Sequence, residues 1–371
     1  MIDNIGKDEL PLLLELNKIS SFRSQFKLLR DGFSSLSELA ASDRKRLMAV
    51  QDLSKVSITK LAEQLPLIKP GTELKLVTKA GLGIVTCFDE EYPKQLNDLP
   101  QPAPVIYVRG NIDFEFKKSL SIVGSRTTSP HGVTITGKLA FELGAAGFCI
   151  ISGGARGIDS QAHRGALEGG GKTIAVMACG LDIQYPPENK ALFESVVESG
   201  AVISEFPLGT PPEKYNFPTR NRIIAALSLG TLVIEAGDRS GALITAEHAL
   251  EIGRDVFAVP GRPGDMGSRG ANKLIRDGAF LVLSLSDILE RFGLTLAERP
   301  AHVKNVDQAS LTKEEREVLK VVDLEPMVVD EISRRMGKNV VEIIEPLISL
   351  QLKGLVKEMP GKSYVRTIGL G

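Results

Sequence analysis

The chain has 371 residues, enough for two or three domains, and 43% hydrophobic residues at a mean hydropathy of +0.03 describe a globular protein, not a disordered or fibrous one. A formal net charge of -1 excludes a protein that coats nucleic acid through bulk positive charge, so any such contact must be local. No apolar run approaches the ~20 residues of a membrane span, and the charged opening MIDNIGKDEL lacks the apolar core of a secretion signal, so a cytoplasmic location and no membrane contact are expected.

In chain order, residues 9–18, 22–30, 36–41, 43–50 and 57–64 carry helical periodicity, broken at Asp31-Gly32-Phe33 and stopped by Pro66. They predict a small helical domain over 1–70. A helix at 73–80 stops at Gly81 and leads to a strand at 84–88; a proline-rich connector then reaches a short apolar run at 106–108. From residue 119 strands (120–123, 148–152, 173–178, 201–204, 232–235, 256–259) alternate with helices (133–146, 160–168, 189–199, 220–228, 242–252). That alternation predicts an α/β fold, an extended Rossmann-like doubly wound sheet over 71–295, with ligands at the carboxyl ends of its strands. Residues 296–311 read as a linker, and three helices plus a hairpin over 312–371 spell a winged helix.

The most informative stretch is FCIISGGARGIDSQAH, residues 148–163. A wholly apolar strand enters a turn with Gly153, Gly154, Arg156 and Gly157 and opens a helix, with Asp159 placed to cap it. Helix-start amides beside an arginine make an anion cradle. Glycines that serve only packing are the competing explanation. The spacing matches neither GxGxxG nor GxxxxGK, so no nucleotide cofactor is read from it.

Four rim loops carry such elements: Gly124-Ser125-Arg126, 153–157, 214–222 and 237–241. Acidic and basic residues nearly balance over 119–280, but Glu188, Glu194, Glu198, Glu247 and Glu251 fall on helices while Arg126, Arg156, Lys214, Arg220, Arg222 and Arg239 fall in or beside the rim. A row of cations with glycines between them suits an extended polyphosphate strand. Arginines that merely pair with neighbouring carboxylates would look the same in sequence. Phe217, between basic residues in KYNFPTRNR, reads equally as a base-stacking ring and as a buried anchor.

No catalytic constellation emerges. Ser125 and Ser240 lack a base at a recognisable spacing, GxSxG and HExxH are absent, and His163 and His248 lie within helices where structural hydrogen bonds are expected. Asp159, Glu205 and Glu235 are the carboxylates a pocket would offer. Cys87, Cys149 and Cys179 sit in apolar segments without metal-ligand spacing and are expected to be reduced core residues, so neither metal nor disulfide is predicted.

The ordered segments SIVGSRTTSPHG, ISGGARGIDSQAH, FPTRNRIIA, VIEAGDRSGALITAEHAL and VFAVPG, with the connector TCFDEEYPKQL, resemble the DprA/Smf family of DNA-processing proteins over about residues 80–295. The resemblance implies a non-enzymatic bacterial recombination mediator. Such a protein binds single-stranded DNA in a basic pocket of its Rossmann-like domain, forms a homodimer, protects incoming DNA and loads RecA during natural transformation. Carried over residue by residue, the pocket comprises Gly124, Ser125 and Arg126; Gly153, Gly154, Arg156 and Gly157; Lys214, Phe217, Arg220, Asn221 and Arg222; and Ser240 with Gly241. In the flanks, LNKISSFRS stands where the family's helix-hairpin-helix unit has a glycine-containing hairpin, and the third winged-helix helix carries Glu342, Glu345 and Pro346, an acidic and kinked surface. A phosphoribohydrolase of the Lonely Guy type is the alternative, although Glu235-Ala236-Gly237 continues into Asp238-Arg239-Ser240 and not into PGGxGTxxE. A DNA-bridging dimer without a recombinase partner is the third reading.

Overall fold

The computed structural model describes residues 1–2, 4–294, 311–322, 327–353, 355–359 and 362–366, and all but the last residue of the stretch read as a linker lies outside them. The chain divides into two compact units, 1–300 and 301–371.

The first unit begins with six helices: α1 Leu10–Lys18, α2 Ser20–Gly32, α3 Leu36–Ala40, α4 Arg44–Met48, α5 Lys55–Gln64 and α6 Thr72–Lys79. Their starts are chemically marked. Ser35, Asp43 and Ser54 accept hydrogen bonds from the amides of Glu38, Arg46 and Ser57 at 3.0, 2.8 and 3.1 Å. Between α1 and α2 only Ile19 is extended, and the Arg23 guanidinium turns back to the carbonyls of Asn17 and Lys18, so an arginine closes the joint where a glycine was looked for. Leu13, Leu14, Phe22, Phe26 and Leu29 form the core of these helices, and Val105 and Tyr107 belong to the same core.

Those two residues come from the sheet. Strands β1 Gly83–Thr86 and β2 Val105–Gly110 form an antiparallel pair, and β2 joins β6 antiparallel. The rest of the sheet is parallel: β3 Ser119–Val123, β4 Cys149–Ser152, β5 Thr173–Val176, β6 Ala201–Ser204, β7 Gly230–Val233, β8 Asp255–Ala258 and β9 Phe280–Leu281, in the order β1-β2-β6-β5-β4-β3-β7-β8-β9. Every residue of β3 to β7 is buried, as strands covered on both faces require. Helices α7 Pro130–Ala145, α8 Ile158–Glu168, α9 Lys190–Ser199, α10 Asn216–Ala226, α11 Gly241–Glu251, α12 Arg269–Arg276 and α13 Leu285–Arg291 complete the doubly wound layers. The chain steps outward from β3 through β4, β5 and β6, and the crossover containing α10 then returns it to β7 on the other side of β3. The loops after β3 and β7 therefore flank the point where strand order reverses, the usual ligand crevice of this architecture.

The second unit has α14 Lys313–Val321, β10 Met327–Val328, α15 Val329–Met336, α16 Val340–Leu352, β11 Val356–Met359 and β12 Ser363–Arg366, with an antiparallel sheet β10-β12-β11. Capping boxes Thr312/Glu315 and Asn339/Glu342 start α14 and α16. It is a winged helix over a core that includes Leu319, Ile332, Ile343 and Leu347. On α16 the expected Glu342 and Glu345 are exposed, with Pro346 inside the helix, but apolar side chains share that surface. Val341, Ile344, Ile348 and Leu352 are exposed, and Glu342 is committed to the cap.

Candidate nucleic-acid interface

The loop after β3 is built around two backbone contacts and one carboxylate. The Ser125 amide donates to the Glu235 carbonyl at 2.8 Å and the Ile158 amide to the Ser125 carbonyl at 3.2 Å, so this loop is zipped to both the β7 loop and the start of α8. The Glu235 carboxylate accepts from the Thr128 hydroxyl (2.7 Å), the Ser129 amide (3.0 Å) and the Ser129 hydroxyl (2.5 Å). That leaves the Arg126 side chain exposed while its backbone is fixed.

The glycines of the β4 loop each answer a close neighbour. A Cβ at Gly153 would stand 2.6 Å from the Arg220 guanidinium and one at Gly154 2.7 Å from the Phe193 ring; in the β3 loop, one at Gly124 would stand 2.5 Å from Ile158. Gly157, at φ +75, lies against the Ser125 carbonyl, where a side chain would be both strained and blocked.

Asp159 is not the cap predicted for this helix. α8 starts at Ile158 with Gly157 before it, and Asp159, in the first turn, accepts from the Ala155 amide at 3.3 Å. The helix start is therefore already occupied by a buried carboxyl group, whose pKa burial raises and the nearby charge of Arg220 pulls back. Arg220 is itself 4% exposed, donating to the carbonyls of Gly153 (2.6 Å) and Val176; burial lowers its pKa to about 10, so it remains a cation at neutral pH.

Residues 214–222 were expected as a loop, but α10 begins at Asn216. Pro218 in its first turn is compatible with that start. Lys214 and Tyr215 are exposed just ahead of the helix. Phe217 is half-buried. The Arg126 guanidinium lies 4.6 Å and that of Arg220 5.9 Å from its ring centroid, with Tyr185 at 5.8 Å. Asn221 accepts from Arg220 Nε (3.2 Å) and donates to the Gly241 carbonyl (3.2 Å), tying α10 to α11, whose first amides Ser240 caps through Ala242 at 3.3 Å.

The rim thus holds fewer available cations than the sequence suggested. Arg222 is buried, ion-paired with Glu205 and donating to the Gln101 carbonyl at 2.5 Å. Arg156 is exposed but paired with Glu188, which sits in a short turn at 187–189 and not among the segregated helix acids. Among the described residues no ion pair involves Arg126, Lys214 or Arg239, all exposed. His163 is a core residue, its Nδ1 2.7 Å from the Thr173 hydroxyl and its pKa pushed down to about 3 by burial. The three cysteines are unbridged, and no helix among the described residues is long and apolar enough to cross a membrane.

Residues 83–293 match the family model of DNA recombination-mediator protein A, and residues 303–362 match that of the DprA winged helix domain. Protein Smf of Escherichia coli is 42% identical over 289 residues, 76% of this chain and 77% of that protein. The DNA processing protein DprA of Streptococcus pneumoniae is 44% identical over 204 residues, covering 55% of this chain and 72% of its own. The chain belongs to the DprA/Smf family. The solved structure of DprA from Streptococcus pneumoniae aligns with a TM-score of 0.64 at 34% identity over 78% of this chain and 99% of that one. DprA from Helicobacter pylori, solved for its single-stranded DNA binding mode, aligns with a TM-score of 0.51 at 29% identity over 57% of this chain and 94% of that one.

The family assigns a DNA-processing, recombination-mediator role. Two aromatic residues of this DprA/Smf chain join the site beyond those expected from its sequence, Tyr215 and Tyr185. Tyr215 directly follows Lys214 inside KYNFPTRNR, so the basic neighbours that mark Phe217 mark it as well. Tyr185 comes from the β5–α9 connection, and no local pattern announces that it meets Phe217.

Proposed function

We propose that the chain is a single-stranded DNA-binding recombination mediator without enzymatic activity, a cytoplasmic homodimer that protects incoming DNA and loads RecA during natural transformation. The observation that carries the binding reading is the pair Arg126 and Lys214, exposed cations: Arg126 lies in the loop at the strand-order reversal, and Lys214 lies just ahead of the helix whose Phe217 ring backs the Arg126 guanidinium. Arg156 joins them by exchanging Glu188 for phosphate, since an exposed pair contributes little. Backbone at Gly124, Ser125, Gly153, Gly154, Gly157, Ser240 and Gly241 gives the strand close approach, and Phe217 backs the Arg126 guanidinium. Arg220, Asn221 and Arg222 serve the same site from below by holding the loops. The domain division at residue 70, with a linker over 296–311, belongs to this reading.

The phosphoribohydrolase alternative gains no support, because the carboxylate it would need, Glu235, is saturated by Thr128 and Ser129. Titration of a fluorescent oligothymidine against salt tests the proposal. Arg126→Ala and Lys214→Ala should each weaken binding about tenfold and lower the slope of log affinity against log salt by roughly 0.7. Wild-type affinity in the double variant would refute the site.

A further inference from the structure

Phe217 offers little open ring, being half-buried among Tyr185 and two guanidiniums. The ring that stands open is Tyr215. At 72% exposure it is the most exposed aromatic side chain among the described residues. A single exposed apolar residue needs no explanation by itself. Its setting is what distinguishes it.

Tyr215 directly follows Lys214, an exposed cation, so a nucleotide whose phosphate met that ammonium would bring a base within reach of the phenol ring. The backbone beneath is fixed. The Glu213 amide donates to Pro211 O at 2.9 Å, the Asn216 amide to Glu213 O at 2.9 Å, the Asn216 side chain to Pro211 O at 3.0 Å, and Thr219 to the carbonyl of Tyr215 itself at 3.0 Å. Upstream, Asn17 donates to the Glu205 carbonyl at 3.1 Å and the Leu208 amide to Glu73 at 2.9 Å, so the N-terminal helices clamp the segment entering the loop. A rigid, two-torsion aromatic presented this way loses little entropy on contact. Residues two apart at a helix start do not share a face, so Tyr215 is a platform separate from Phe217.

We propose that Tyr215 stacks on a base of the bound strand, at or beside the nucleotide whose phosphate Lys214 holds, and thereby distinguishes a nucleic acid from a bare polyanion. The inference rests on the single-strand reading above.

The chain contains no tryptophan, so Tyr215→Trp introduces a sole indole at the site. Oligothymidine should quench its fluorescence, and an abasic deoxyribose-phosphate oligomer of equal length should not. Tyr215→Ala should weaken oligothymidine binding about tenfold while leaving abasic affinity and salt slope unchanged, whereas Lys214→Ala should weaken both ligands. An unquenched indole in a protein that still binds oligothymidine, together with wild-type affinity in Tyr215→Ala, would overturn the stacking role alone if Lys214→Ala still weakens binding. If Lys214→Ala and Arg126→Ala also bind as wild type, the single-strand reading falls and this inference with it.

Discussion

Arg126 and Arg220 both approach the ring of Phe217, yet their surroundings give them opposite duties. Arg126 is exposed and forms no ion pair among the described residues, so its substitution should leave folding intact and cost affinity. Arg220 satisfies two buried carbonyls and sits in the field of the buried Asp159; removing it strands all three. Urea unfolding should therefore find Arg220→Ala less stable by about 3 kcal/mol and Arg126→Ala unchanged within about 0.5 kcal/mol. Full stability in Arg220→Ala, with lost DNA binding, would make Arg220 a direct contact after all.

At the level of elements, the GSR loop and the start of α8 behave as one object because the Ile158 amide binds the Ser125 carbonyl and Gly157 packs against it. Gly157→Ala would combine positive-φ strain with a clash against backbone, costing about 2 kcal/mol or more. Displacing the loop also moves Arg126. Calorimetry and oligothymidine titration of this variant should thus show both a lowered melting temperature and weaker binding; loss of one without the other would mean that the loops are independent. The existence and order of these loops were legible in the sequence, since glycines between an apolar strand and a helix have few other uses. The occupant of the cradle was not: the Asp159 side chain fills it from within, and only the folded turn brings the Ala155 amide to that oxygen.

For the whole molecule, the N-terminal helices are welded to the sheet. Val105 and Tyr107 of β2 complete their core, and Lys18 approaches the buried Glu73 at 3.4 Å. Deleting residues 1–70 would uncover those apolar side chains and leave Glu73 without its cation, a combination that costs several kcal/mol. The shortened chain is expected to aggregate or to melt well below the full chain in light scattering and calorimetry. A monodisperse fragment with an unchanged melting temperature would show that the weld contributes nothing.

The amino-acid sequence by itself determined the alternation of strands and helices, the glycine turns and the winged-helix pattern, because each depends on residues within a turn or two of one another. It also carried the segments that place the chain in its family. Only the tertiary structure decided what each rim arginine does. Arg156 meets Glu188 across 32 residues of sequence, Arg222 meets Glu205 across 17, and Arg126 meets no carboxylate at ion-pair distance among the described residues. Identical side chains become a surface pair, a buried strut or an exposed cation according to which acids the fold carries to them, and that choice is made by packing over long separations that no local pattern encodes.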